Sequence, residues 1–266
     1  MEFVQLFTLG LAVGFLSSFF GIGGGSLIVP VLYAMYDKIP PSIVIPISLG
    51  SIFIIVLLNT YKYFKQKLLP KRDLILNFII FCGVGAYLGS EVVYLINNQM
   101  AKFSMGIILI LMVVKLLLMK KKETPDHEDY KPNKILFALT GLLGSFLSSI
   151  TGLGGGIIFT PFFMNILRVP TIRVSPYANM AMAVTTLIGI APHLFKENSS
   201  NFRFENFYNE SVMLGNVHFG IIVLIAISAS LTSPLGVKLN LKVSANLKRS
   251  LLAALLSFFA LKLLFF

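Results

Sequence analysis

The sequence predicts an all-α integral membrane protein of two inverted repeats, and three observations carry that reading. Apolar residues make up 56% of the 266-residue chain and charged residues only 12%, about half the charged share of a soluble domain. The apolar residues fall in unbroken runs rather than in a single helical stripe. The first half of the chain also returns, diverged, in the second.

Residues 42–58, 74–96, 103–119, 177–195, 217–237 and 250–266 are each nearly free of charge. A helix needs about 20 apolar residues to cross a bilayer, and most of these runs reach that length once their ends are counted. Lipid offers no partner to unpaired backbone groups, so the spans are expected to be α-helices. Barrel strands need strict alternation, which these runs lack. The net charge of +11 does not point to nucleic acid, because the cations sit in short clusters between apolar runs, as topology-setting loop charge does. Cys82 is the single cysteine, so neither a disulfide within the chain nor a cysteine metal site is expected; no cofactor is called for. The N-terminus is apolar from Phe3, but its first charge is Glu2 and no basic segment precedes it, so it does not read as a cleaved signal peptide. With no tryptophan, interface anchoring falls to Tyr33, Tyr36, Tyr61, Tyr63 and Tyr94.

The repeat is carried by a glycine element. Gly14-Phe15-Leu16-Ser17-Ser18-Phe19-Phe20-Gly21-Ile22-Gly23-Gly24-Gly25 returns as Ser145-Phe146-Leu147-Ser148-Ser149-Ile150-Thr151-Gly152-Leu153-Gly154-Gly155-Gly156. Pro30 returns as Pro161, and after a one-residue slip Pro40 and Pro46 return as Pro170 and Pro176. Gly85-Ala86-Tyr87-Leu88-Gly89 is matched more weakly by Thr232-Ser233-Pro234-Leu235-Gly236. The expected organisation is a first transmembrane repeat over 1–119, a charged cytoplasmic linker rich in breakers over 120–134, and a second repeat over 135–266.

A GxGGG element after a Ser-Ser pair, repeated once in a chain of eight hydrophobic segments, resembles the sulfite exporter TauE/SafE family over nearly the whole length. The resemblance implies transport of sulfite, sulfonates or related sulfur-containing anions. Members often carry a Gly-Thr-Ser triplet in the helix after each Gly element. The matching stretches here are Leu49-Gly50-Ser51 and Met180-Ala181-Met182, so the second copy lacks the hydroxyls at that place.

Lysine and arginine set the expected topology. Clusters at Lys62–Arg72, Lys120–Lys134 and Lys238–Arg249 go to the cytoplasm, and the nearly neutral loop 196–216 goes outside. Both termini then lie outside, in a bacterial inner membrane. Each Gly-containing segment, 3–36 and 135–167, enters and leaves on one side, and two readings satisfy this. Each is a pair of complete crossings, or a re-entrant hairpin with glycines at its tip. The returning arm, 26–36, favours the hairpin, since it makes a helix of about 16 Å. Either reading gives the two copies opposite orientations, as many transporters do. Each repeat is expected to hold one broken hairpin and three transmembrane helices.

The glycines are the expected chemistry. A helix ending at Gly21 or Gly152 leaves carbonyls unpaired, and one restarting after Gly25 or Gly156 leaves N–H groups unpaired. In a bilayer such backbone survives only when buried in protein or lining a wet cavity. The restarting N-terminus carries about +0.5 charge and suits an anion. Candidate substrate-binding residues are therefore Gly23, Gly24, Gly25 and Ser26, as N-cap, in the first copy, and Gly154, Gly155 and Gly156 in the second. Ser17, Ser18, Ser148 and Ser149 lie within about one turn of the breaks and serve either as hydroxyl donors to substrate or as helix–helix hydrogen bonds. Asn179 can bind anion or fix a neighbouring helix. Glu91 and His193 are candidates for proton coupling, with interfacial placement as the simpler reading of each. Lys115, near a helix end, is read as snorkelling.

The expected activity is secondary transport, in the export direction, of a small sulfur-containing anion such as sulfite or an organosulfonate, by alternating access about the breaks. The expected partners are that anion and the lipid bilayer. An anion channel, or a carrier of another small solute, is the alternative. An intramembrane enzyme is set aside: His127, His193 and His218 are scattered and no HExxH element exists.

Overall fold

The computed structural model describes residues 2–20, 27–36, 38–65, 67, 69–70, 72–118, 133–196, 202, 204, 212–240 and 242–265. The first Gly element with Ser26 (residues 21–26) and nearly all of the expected linker lie outside the described residues. Those described are helical apart from turns and one small hairpin, Met213–Leu214 (β1) with Val217–His218 (β2).

The first half forms α1 (Glu2–Phe20), α2 (Ile28–Met35), α3 (Pro41–Lys65), α4 (Arg72–Val92, extended by a 3₁₀ turn to Leu95) and α5 (Asn98–Leu118). The second forms α6 (Lys134–Thr151), α7 (Gly156–Pro161, continued by a π turn to Ile166), α8 (Thr171–Phe195), α9 (Phe219–Asn240) and α10 (Ala245–Phe265). Six of these, α1, α4, α5, α6, α8 and α9, are long and apolar enough to cross a membrane. The chain is thus an all-α multi-pass membrane protein. Leucines, isoleucines and phenylalanines stand exposed along the outer faces of α4, α5, α9 and α10, the pattern of a surface solvated by lipid tails.

The entering arms, α1 and α6, have 19 and 18 residues and so run about 27–28 Å. The returning arms are short: α2 has 8 residues, and α7 with its π turn covers Gly156–Ile166. In each half a long helix is thus followed by a short one.

Small residues let the long helices touch backbone to backbone. Along α1 and α9, Gly10 packs on Ser228, Gly14 on Ala229 and Gly236 on Phe15 and Ser18, so the two helices run parallel. Ser18 and Ser233 share a hydrogen bond of 2.7 Å, and Thr232 Oγ1 donates to the Leu11 carbonyl at 2.6 Å. Along α4 and α6, Gly141 packs on Phe78 and Cys82, Gly85 on Leu142 and Gly89 on Phe146, again in parallel. The packing is reciprocal between the halves: α1 lies on α9 as α6 lies on α4, while α3 meets α8 and α5 meets α10. The α3–α8 contact is antiparallel, since Ile45 and Leu49 near the start of α3 pack beside Ile190 and Gly189 near the end of α8.

β1 and β2 fold over the end of α8. His218 is buried there with its ring edge-on to Phe204, centroids 5.3 Å apart. Burial depresses its pKa to about 4. An unfolded chain binds that proton near pH 6.5, so the contribution of His218 to stability is complete above pH 6.5 and is lost as pH falls toward 4. The unfolding midpoint of the purified protein in detergent is expected to drop across that window. In His218→Phe the drop is expected to shrink, and an unchanged pH profile there would exclude His218 as its source.

Candidate functional site

The second Gly element is described in full. α6 stops at Thr151, and Gly152 follows in the left-handed region with φ +68°. Gly154 and Gly155 have φ of +67° and +90°, conformations that only glycine takes without strain. The Gly155 carbonyl accepts from the N–H groups of Ile158 at 2.9 Å and Phe159 at 2.6 Å. The N–H groups of Gly156 and Ile157 therefore precede the first rung of the returning helix. Pro161 cannot donate, and directly after it the chain widens into the π turn Phe162–Ile166.

The returning helix runs back along its own entering helix. A Cβ built on Gly155 would stand 3.1 Å from Ser148 Oγ; Phe159 packs on Gly144, and the Phe163 ring lies 5.8 Å from that of Phe137. Residues flanking the first Gly element reach the second. A Cβ on Gly152 would stand 2.8 Å from Val29 Cγ2, in the first turn of α2. Phe20, the last residue of α1, shares a cavity with Gly156. From α3, Ser48 Oγ donates to the Gly152 carbonyl at 2.7 Å and Ile52 packs against Gly154. Gly154 thus lies against the middle of α3.

The four serines divide by copy. Ser17 Oγ donates to its own helix at the Gly14 carbonyl, 3.3 Å away, and Ser18 bonds Ser233. Ser148 and Ser149 are fully buried, and among the described residues their hydroxyls have no partner. A buried hydroxyl left unmet costs about 1–3 kcal/mol, and two such hydroxyls lie next to each other in sequence at this helix break. Other hydroxyls of these helices are buried and paired: Ser145 bonds Thr185 at 2.7 Å, and Ser90 donates to the carbonyl of Gly189, which packs beside Ser149, at 2.7 Å.

Other candidate residues lie differently from expectation. Ser26, expected as an N-cap, is outside the described residues, and the residue flanking α2 is Leu27, with no side-chain cap. The Asn179 amide donates to Ser175 of its own helix at 2.9 Å. His193, near the end of α8, is fully buried among protein groups. Its Nδ1 lies 2.6 Å from Tyr94 Oη, and that oxygen accepts from Asn216 Nδ2 at 3.2 Å. The imidazole tautomer decides which of the two donates, and Nε2 meets no partner among the described residues. Glu91 pairs with Lys196 at 2.5 Å, and the same ammonium lies 4.1 Å from the Tyr94 ring centroid. Asn216 Nδ2 also donates to the Lys196 carbonyl at 2.9 Å. The sequence does not mark Ser48, Tyr94, Thr185, Lys196 or Asn216 as site residues, and Tyr94 enters it only as an interface anchor. Tyr94, Lys196 and Asn216 sit in turns and a short hairpin, where no helical period marks them.

Long apolar helices, with a glycine break buried among them, define a multi-pass membrane protein. Residues 6–263 match the family model described as Sulfite exporter TauE/SafE. A probable membrane transporter protein of Methanocaldococcus jannaschii is 29% identical over 264 residues, covering 97% of this chain and 94% of that protein. A probable membrane transporter protein of Haemophilus influenzae is 24% identical over 260 residues, covering 96% and 94%. One of Bacillus subtilis, YunE, is 27% identical over 218 residues, covering 73% and 79%. No solved structure matches. The chain belongs to the sulfite exporter TauE/SafE family and is a membrane transporter.

Proposed function

We propose that this transporter exports a small sulfur-containing anion, sulfite or an organosulfonate, and binds it at the paired helix breaks. The observation that carries the reading is the pair of buried, unpartnered hydroxyls of Ser148 and Ser149 beside a break whose leading N–H groups precede the helical ladder. Such a set neutralises an oxyanion by donors alone, with the helix N-terminus adding positive potential. A compact oxyanion needs donors converging at short range, which three glycines without side chains permit. The first element, Gly23 to Ser26, supplies the matching half in this reading, supported by the approach of Val29 and Phe20 to the second.

The reciprocal packing and the antiparallel meeting of α3 and α8 support two inverted repeats, with the cationic clusters inside and both termini outside a bacterial inner membrane. Alternating access then exchanges the roles of the two halves. A negative interior drives an anion outward by about 2.3 kcal/mol per charge per 100 mV. Coupling in this reading falls to Glu91 and His193.

Ser148→Ala and Ser149→Ala test the site. Each removes an unmet polar atom, so the unfolding midpoint should hold or rise, while sulfite or sulfonate affinity should fall about tenfold, since a hydrogen bond to a charged group contributes about 1.5–3 kcal/mol. Liposome counterflow reads the affinity. Unchanged affinity in the double variant would remove the serines from the site. Linear, unsaturable flux in the same assay would favour a channel. Uptake indifferent to an imposed proton gradient would count against Glu91 and His193 as coupling groups.

A further inference from the structure

A cavity of about 270 Å³ lies behind the returning helix, between α5, α7 and α10. Its wall is apolar: Phe20, Met112, Leu116, Ile157, Met164 and Leu256 line it. Among the described residues, the only polar side chains lining it are Thr160 and Lys115. A small oxyanion would lose its hydration there with almost no donors in return, so this is not a second version of the site at the glycines.

The charge beside the cavity is placed asymmetrically. Lys115 and Lys262 stand at the same position of α5 and α10, each the eighteenth residue of its helix. Lys262 donates to the Ala34 carbonyl at the end of α2, 3.0 Å away, so its charge is spent on a helix C-terminus. Lys115 reaches no carbonyl in that manner; its ammonium lies 5.6 Å from the Phe162 ring centroid, at the start of the π turn. A second cation stands close by, outside the cavity wall: Arg249 of α10 donates one of its five N–H groups to the Leu117 carbonyl, two residues beyond Lys115, where the single ammonium of Lys262 has no such fork. Both helices turn exposed apolar side chains outward, Leu111, Val114 and Leu118 on α5 and Leu247, Leu251 and Phe258 on α10.

We infer that this cavity holds an acyl chain of an anionic phospholipid, with its phosphate between Lys115 and Arg249. Two cations at one end of an apolar space between lipid-facing helices match a headgroup and its chain, and basic pockets of this kind between transmembrane helices take anionic headgroups. Because Phe20 and Gly156 form part of the wall, an occupying chain braces both broken helices. Lipid composition thereby bears on the transport elements directly.

The test uses the full chain in detergent, without a transport assay, so its outcome is independent of the substrate. Phosphatidylglycerol and phosphatidylcholine of identical acyl chains are added separately. Phosphatidylglycerol should raise the unfolding midpoint by about 3 °C or more over phosphatidylcholine. Lys115→Gln and the cavity-filling Leu256→Trp should each erase that difference, with each variant compared against its own lipid-free midpoint. Met112→Phe replaces Leu256→Trp if the latter does not fold. Equal stabilisation by both lipids, or a difference that survives in the variants, overturns the inference. So does stabilisation by decanesulfonate in the absence of any phosphatidylglycerol effect, which would make the cavity a site for free amphiphilic anions.

Discussion

Gly155→Val should reduce transport at least about tenfold while leaving the protein in the membrane. Gly155 has φ +90°, and a Cβ there would stand 2.6 Å from the Phe159 ring and 3.1 Å from Ser148 Oγ. The left-handed backbone alone costs a β-branched residue about 1–3 kcal/mol, and 1.4 kcal/mol is already a factor of ten. Phe159 is fully buried and packed against Phe78 and Phe163, so the ring has nowhere to retreat. The loop relaxes instead, and relaxation moves the leading N–H groups away from the serines. The spans do not depend on this position, so membrane fractionation and a monodisperse elution profile should match wild type. Liposome uptake is the deciding measurement: full activity in Gly155→Val would refute the main-chain site. Gly24→Val poses the same question for the first element.

Gly14→Leu and Gly85→Leu should unfold the bundle rather than silence it. A Cβ on Gly14 would lie 2.1 Å from the Ala229 carbonyl oxygen, and one on Gly85 would lie 2.1 Å from the Leu142 carbonyl oxygen. The obstacle in each case is backbone, which cannot rotate aside as a side chain can. The α1–α9 and α4–α6 pairs must separate, with loss of the dispersion contacts that hold helices together in lipid. Overpacking of this kind costs about 1–3 kcal/mol or more, a fall of several degrees in unfolding midpoint. Thermal unfolding followed by size-exclusion chromatography reads it. A midpoint within a degree of wild type would mean that these helices part without cost. Gly10 faces the Ser228 hydroxyl as well as backbone, so Gly10→Ala should be milder than Gly14→Ala in the same measurement.

The two pairs of predictions separate site from scaffold, and the sequence distinguished them unevenly. The triple glycine at 154–156 announced itself, because packing motifs space glycines by four and do not cluster three together. The spaced pairs Gly10/Gly14 and Gly85/Gly89 carry the ordinary small-residue packing signal. Only the second of them entered the sequence reading, and then as a marker of repetition. The returning arm was legible as too short to span and the entering arm as longer than a half-span needs, but which helices α1 and α6 lie against was not. The four serines look alike in sequence, yet Ser18 is taken by Ser233 from a helix more than 200 residues away, while Ser148 and Ser149 are left open. Glu91 and His193 were visible as polar residues within apolar runs. Their partners Lys196, Tyr94 and Asn216 converge from α8, the end of α4 and the β1–β2 turn.

By itself the sequence determined the class, the all-helical spans and the doubled glycine element, because hydropathy, chain length and the absence of a Cβ are local properties. Tertiary structure alone decided which hydroxyls stay unmet, which lysine spends its charge on a carbonyl, and which helices touch through bare backbone. Each of those depends on what another helix presents at a matching height, and no residue carries that information in its own neighbourhood of the chain.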